Sequence, residues 1–271
     1  MDTKFFLGIG LAVVLVFAGA AVFGHFAKPA PAPAPVDRET LYQVSTIDAL
    51  MVGDFSGVQT VRELKKHGDF GIGTFDRLDG EMILLDGTVY QARADGHIYP
   101  APDNETTPFA TVTYFDRDLS VSTDRPMNIS VFSTVMASRL PTGNVIYAVR
   151  MHGTFPVMKV RAIPAQQEPY PTLANASASQ AVYNLSGATG TVMGFYTPAW
   201  FSGINVPGYH LHFLSDDKKS GGHILDFLVP ANATVEYDVT PGFAMAIPVN
   251  SSFAELDLTQ NLSADVAKVE R

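Results

Sequence analysis

Apolar and polar residues alternate in short runs along most of this chain, and glycine or proline ends the runs at close intervals. "EMILL" and "TVYQAR" have strand length and are bounded by Asp79-Gly80, Asp86-Gly87 and Asp95-Gly96. Asp-Gly supplies the left-handed backbone of a tight hairpin turn, so this stretch predicts a β-meander. Ahead of it, "STIDALMVGDFSGVQTVRELKKHG" has a capping residue at Ser45 or Thr46 and sets Val58, Val61 and Leu64 at helical spacing. Gly53 and Gly57 interrupt that period, which predicts two short helices closed by Gly68. "ISVFSTVMAS" at 129–138 predicts a helix or a helix–strand join, and "NVIYAVRMHGTFPVMKVRAI" predicts two strands around His152-Gly153. A Pro-rich connection at 164–171 leads into further glycine-punctuated strands through Val249, and "SADVAKVE" near the end reads as a helical turn or a tail. The whole pattern predicts an α+β fold of β-rich mixed sheets in two closely packed lobes, joined near residues 165–175.

The N-terminal residues depart from this pattern. Phe5 to Gly24 are uncharged and apolar, about the 20 residues that a bilayer span needs, and Ala18-Gly19-Ala20 offers a small-x-small cleavage site. Residues 1–27 therefore read as a cleaved export signal or a retained membrane anchor outside the fold. Residues 28–40 read as an extended Pro/Ala-rich linker, and 41–271 as the folded region. Either way the folded part is exported: secreted, periplasmic, or anchored facing outside the cytoplasm. Seven of nine asparagines stand in N-x-Ser/Thr context: Asn104, Asn128, Asn175, Asn184, Asn232, Asn250 and Asn261. With 37 Ser and Thr in 271 residues, chance would place about one or two there. Two readings fit: a glycosylated exported protein, or a Ser/Thr-rich surface never glycosylated.

Composition narrows the chemistry. A hydrophobic fraction of 46% and a charged fraction of 17% suit a sizeable core. A net charge of -9, with no basic cluster beyond Lys65-Lys66 and Lys218-Lys219, argues against a nucleic-acid partner. The absence of Cys removes disulfides, thiolate nucleophiles and Cys-based zinc sites. Any bound metal must be held by His, Asp or Glu, which favours an open catalytic site over a closed structural one.

"GYHLHFLSDDKKSGGHILDF", Gly208 to Phe227, holds three of the seven histidines. Residues two apart on a strand share a face, so His210 and His212 project together while Tyr209, Leu211 and Phe213 point into a core. "SDDKKSGG" is turn chemistry and "HILDFLV" resumes a strand. If His212 lies opposite His223, with a loop of about ten residues or a bulge, all three rings converge. Three imidazoles with an open position form a catalytic zinc pattern. Taken singly, each is an outward strand or turn histidine. His67, His97 and His152 read as ordinary loop or turn residues. H-x-H also opens the first cupin motif, but there a Glu follows, whereas Asp216 and Asp217 stand nearest here and His223 comes too early.

With these residues in view, the chain resembles α-acetolactate decarboxylase over roughly 45–271. The resemblance is carried by the histidine segment, by "FGIGTFDRLDGEMILLDG" at 70–87 and by "VRAIPAQ" at 160–166. It implies a zinc-dependent carboxy-lyase, commonly a homodimer, converting the small-molecule substrate (S)-2-acetolactate to (R)-acetoin and CO2 through a metal-stabilised enediolate. His210, His212 and His223 would bind zinc. Glu81 and Glu270, with Glu255 as the fallback for the latter, would supply the catalytic carboxyls. Arg161 would orient the substrate carboxylate by paired hydrogen bonds, and Thr74 would line the site. A membrane is expected as a partner only through the N-terminal segment, if it is retained. Two rivals stand beside this reading: an exported cupin-like metal-dependent oxygenase and a non-catalytic secreted binding module.

Overall fold

In a computed structural model, the described residues are 36–249 and 251–270. The signal or anchor at 1–27, most of the linker and Asn250 lie outside them. No helix among the described residues is long and apolar enough to cross a membrane.

β1 (Thr40–Val44) leads into α1 (Ile47–Met51), where the Thr46 hydroxyl accepts from the Ala49 N–H. β2 (Gln59–Thr60) precedes α2 (Val61–Leu64), and Thr60 caps that helix by accepting from the Glu63 N–H. These are the two predicted short helices, each started by a threonine that satisfies an otherwise orphaned donor. The predicted meander follows as β3 (Phe70–Thr74), β4 (Glu81–Leu85), β5 (Thr88–Ala92) and β6 (Ile98–Pro100). At the β4–β5 turn, Asp86 (φ 49°) and Gly87 (φ 77°) both adopt the left-handed conformation that Asp-Gly tolerates. β7 (Thr106–Thr107) and β8 (Ala110–Thr113) come next.

β9 (Leu119–Ser122) and β10 (Met127–Asn128) run into α3 (Ile129–Ser138), capped by the Asn128 side chain. The remaining elements are β11 (Ile146–Ala162), α4 (Leu173–Ala176), β12 (Ala181–Thr197), β13 (Gly208–Ser215), β14 (Gly221–Val229), β15 (Thr234–Thr240), β16 (Gly242–Ala246), α5 (Ser251–Ala254) and α6 (Ser263–Val269). Among the described residues the strands form two seven-stranded sheets, ordered β16-β1-β8-β3-β4-β5-β6 and β10-β14-β13-β12-β11-β15-β9, and a two-stranded sheet of β2 and β7. A further β11–β14 pairing closes β11 to β14 on themselves. β16 lies parallel to β1, which makes the first sheet mixed, while the second is antiparallel throughout its described pairings; the architecture is the expected β-rich one.

One expectation needs correction. Residues 146–162 form one strand, not two, and the ladder with β12 continues through Gly153, which faces Gly190. Gly153 marks a change of second partner: residues 146–150 pair with β15, and 157–161 with β14. The chain passes from the first sheet to the second between β8 and β9 and returns to the first at β16. The Pro-rich segment at 164–171 is a connection that leads to α4.

The core shows why these sheets stay together. Leu41, Phe70, Ile72 and Ile83 of the first pack with Ile146, Met193, Phe195 and Leu214 of the second. A separate cluster gathers Ile47 and Leu50 of α1, Leu173 and Ala176 of α4, and Val266 and Val269 of α6 around Phe109 and Ile163. This cluster anchors the end of the chain against the body.

Candidate metal centre

β13 and β14 supply the three histidines in the predicted register, with His212 facing His223 and Leu214 facing Gly221. The turn between them is held by Ser215 Oγ, which accepts from the Lys219 and Ser220 N–H groups and donates to Asp217 Oδ1. Tyr209, Leu211 and Phe213 lie in the core on the opposite face, as period-2 alternation requires. Gly222 has a reason to be glycine. Its φ is 141°, and a Cβ there would sit 2.4 Å from the Arg161 carbonyl oxygen. That close approach sets Arg161 of β11 directly opposite His223.

All three rings are buried, and one candidate ligand atom from each lies within 4.8 Å of the others. His212 Nδ1 donates to the Met82 carbonyl at 2.9 Å, which leaves the lone pair on Nε2. Among the described residues, His212 Nε2 and His223 Nε2 are both buried without a hydrogen-bond partner, while His210 Nε2 lies 3.2 Å from His223 Nδ1. Burial pushes the pKa of His210 down and those of His212 and His223 well below the usual histidine range; the nearby Arg161 adds to each fall. The rings are therefore neutral near pH 7. Orphaned buried polar atoms are costly, and neutral imidazoles are metal ligands, so this donor set fits a divalent cation.

Glu81, Arg161 and Glu270, three of the four other residues expected at the site, meet the histidines there. Glu81 starts β4 opposite Thr74, whose Oγ1 donates to the Gly80 carbonyl and fixes the preceding turn. Glu270 follows α6, where burial of Val266 and Val269 holds it in place. Arg161, 2% exposed, bridges the two carboxylates: Nη1 donates to Glu81 Oε1 and Nη2 to Glu270 Oε1, each at 3.3 Å. Nη2 also donates to the Val269 carbonyl. Glu270 Oε2 lies 3.3 Å from His210 Nε2 and 3.7 Å from His223 Nδ1, and Glu81 Oε2 lies 3.8 Å from His212 Nε2. Burial raises the Glu81 pKa to about 7 against the pull of Arg161, and Glu270 adds repulsion. Glu255 is exposed, so it does not share this cluster.

Thr74 lines the adjoining narrow cleft, whose free volume is about 20 Å³, little more than room for water. Sequence reading missed its apolar wall, which includes Ile47, Leu50, Leu78, Phe109 and Leu173. In sequence these positions look like any core residue, and only the packing of α1 and α4 turns them toward a cavity. His67 instead stacks on Tyr42, and His152 pairs with Asp216 at the surface.

Residues 41–260 match the family model described as Alpha-acetolactate decarboxylase. A relative of that name from Methanosarcina mazei is 46% identical over 233 residues, spanning 86% of this chain and 81% of the relative. One from Methylococcus capsulatus is 41% identical over 85% of this chain and 88% of the relative. The crystal structure of alpha-acetolactate decarboxylase from Bacillus subtilis strain 168 superposes with a TM-score of 0.82 at 35% identity, covering 85% of this chain and 99% of that one. With this agreement over most of its length, the chain belongs to the alpha-acetolactate decarboxylase family.

Proposed function

We propose that this protein decarboxylates (S)-2-acetolactate to (R)-acetoin and CO2, with Zn2+ held by His210, His212 and His223. The observation that carries the metal assignment is the convergence of three buried imidazoles, with His210 Nε2 3.2 Å from His223 Nδ1 and His212 Nε2 unpartnered among the described residues, beside the Arg161 guanidinium. The decarboxylase names of the relatives support the substrate, a β-keto acid whose loss of CO2 leaves an enediolate. Zinc supplies Lewis-acid stabilisation of negative charge on oxygen.

The chain's own residues do the rest. Arg161 holds Glu81 and Glu270 apart and retains an unpartnered Nε–H for an anion. With Nη1 and Nη2 engaged by Glu81, Glu270 and the Val269 carbonyl, the Nε–H is what Arg161 offers the substrate carboxylate, in place of the expected paired hydrogen bonds. Glu270 Oε2 is turned toward two of the histidines, whereas Glu81 approaches only one and stands at the head of the cleft strand. We assign Glu81 as the group that protonates the enediolate on one face, setting the product's handedness. The apolar wall of α1 and α4 keeps water from that carbon. The family match over residues 41–260 favours this activity over a cupin-like oxygenase or a non-catalytic module. The apolar segment Phe5–Gly24 and its Pro/Ala spacer support export, and a homodimer is the expected assembly. Incubation of the purified protein with racemic 2-acetolactate tests the activity. The expected result is (R)-acetoin with half the substrate consumed rapidly, abolished by a chelator; absence of acetoin in the presence of zinc would overturn the assignment.

A further inference from the structure

The Asn-x-Ser/Thr tripeptides play no part in the catalytic site. Six of the seven fall among described residues, and all six asparagines are exposed. They are spread over the surface. Asn104 lies between β6 and β7, Asn128 caps α3, and Asn175 sits in α4. Asn184 is on β12, Asn232 in the β14–β15 turn, and Asn261 between α5 and α6. None lines the catalytic cleft.

The state of each side-chain amide adds a second, independent observation. Asn128 and Asn261 make hydrogen bonds, and in both the side-chain oxygen accepts, from the Val131 and Ser263 N–H groups. No side-chain nitrogen among the six donates a hydrogen bond to another described residue. Asn205 shows the contrast. It is buried, lacks the Ser/Thr two residues on, and spends its nitrogen on Gln43 Oε1 and Thr111 Oγ1. An ordinary polar surface explains exposure, but not the recurrence of a hydroxyl two residues later. Among exposed described asparagines, only Asn144 lacks it.

We infer that Asn104, Asn128, Asn175, Asn184, Asn232 and Asn261 are N-glycosylation sites, so that the exported enzyme carries a coat of glycans over a fold that leaves each acceptor nitrogen free. The donor class is an oligosaccharide linked through its anomeric carbon to a polyprenyl phosphate or diphosphate. The asparagine Nδ2 forms a bond to the anomeric carbon, and the anomeric C–O bond breaks. The electron pair leaves with the polyprenyl phosphate, and one Nδ2 proton passes to the transferase's base. The hydroxyl two residues on orients the acceptor amide during transfer. In the folded product the amide oxygen of Asn128 still caps α3, because the modification consumes only the nitrogen.

The test is intact-mass measurement and peptide mapping of the protein isolated from the cells that make it, with acetoin formation assayed on the same sample. The expected result is sugar-bearing peptides at no fewer than half of the six positions, with Asn144 unmodified. Asn184→Gln is expected to remove one glycan mass and leave kcat unchanged. Sugar at fewer than half of the six, or as often at Asn144 as at these positions, overturns the inference. Acetoin formation is scored separately, so loss of the glycan proposal and loss of the decarboxylase proposal are distinguishable.

Discussion

At His212 one hydrogen bond determines the chemistry of a ring. The Met82 carbonyl can only accept, so it takes the Nδ1–H and leaves Nε2 as a bare lone pair in a buried site. Removing that nitrogen should cost more than losing an outer-shell partner, which typically lowers metal affinity about 10–100-fold. His212→Ala is therefore expected to weaken zinc affinity at least that much, as read by competition with a chromogenic chelator. Glu81→Gln tests a different role. It keeps the side chain's shape but removes the transferable proton, so kcat should fall about 10²–10⁴-fold with zinc content unchanged. The histidines were legible in sequence because strand alternation has a fixed period, and their register followed from asking when three rings can meet. Glu81, Arg161 and Glu270 were not legible in that way. Each looks like a solvated charge until the fold buries it, and only the family resemblance pointed to them.

Among the elements, α6 does work out of proportion to its length. It carries no strand pairing, yet its Val266 and Val269 pack on α1 and α4 and deliver Glu270 to Arg161. Deletion of residues 263–271 should leave far-UV circular dichroism near the parent spectrum, because both sheets are built without it. Acetoin formation should fall by at least about 100-fold, since both Glu270 and part of the cleft's cover are lost. The helix was visible in "SADVAKVE" only as a turn or a tail, because seven residues cannot declare a stable helix without the surface they pack on. β11 was misread for a related reason. Glycine within a strand pattern reads as a break, whereas here both sides continue along one partner and exchange the other.

Across the whole molecule, the order of strands within the sheets was the least legible feature, because non-local pairings such as β1 with β16 leave no local signal. The same packing leaves Asp238 of β15 buried, accepting from the Asp116 N–H near Asp118 and Glu39. Burial, with repulsion from those carboxylates, raises its pKa to about 7. The folded state then binds this proton more tightly than the unfolded chain. The group's stabilising contribution is full below the unfolded value of about 3.9 and is lost as pH rises toward 7. Asp238→Asn, a mimic of the protonated form, is expected to raise the thermal midpoint relative to the parent at pH 8 and to lose that advantage at pH 4. Equal midpoints at pH 8 would contradict this assignment.

The most direct test of the metal-centred chemistry is stepwise return of Zn2+ to chelator-stripped protein while acetoin formation from 2-acetolactate is followed. The expected result is a rate that rises linearly and levels at one zinc per chain. A rate independent of added zinc, or a chain saturated with one zinc that forms no acetoin, would contradict it.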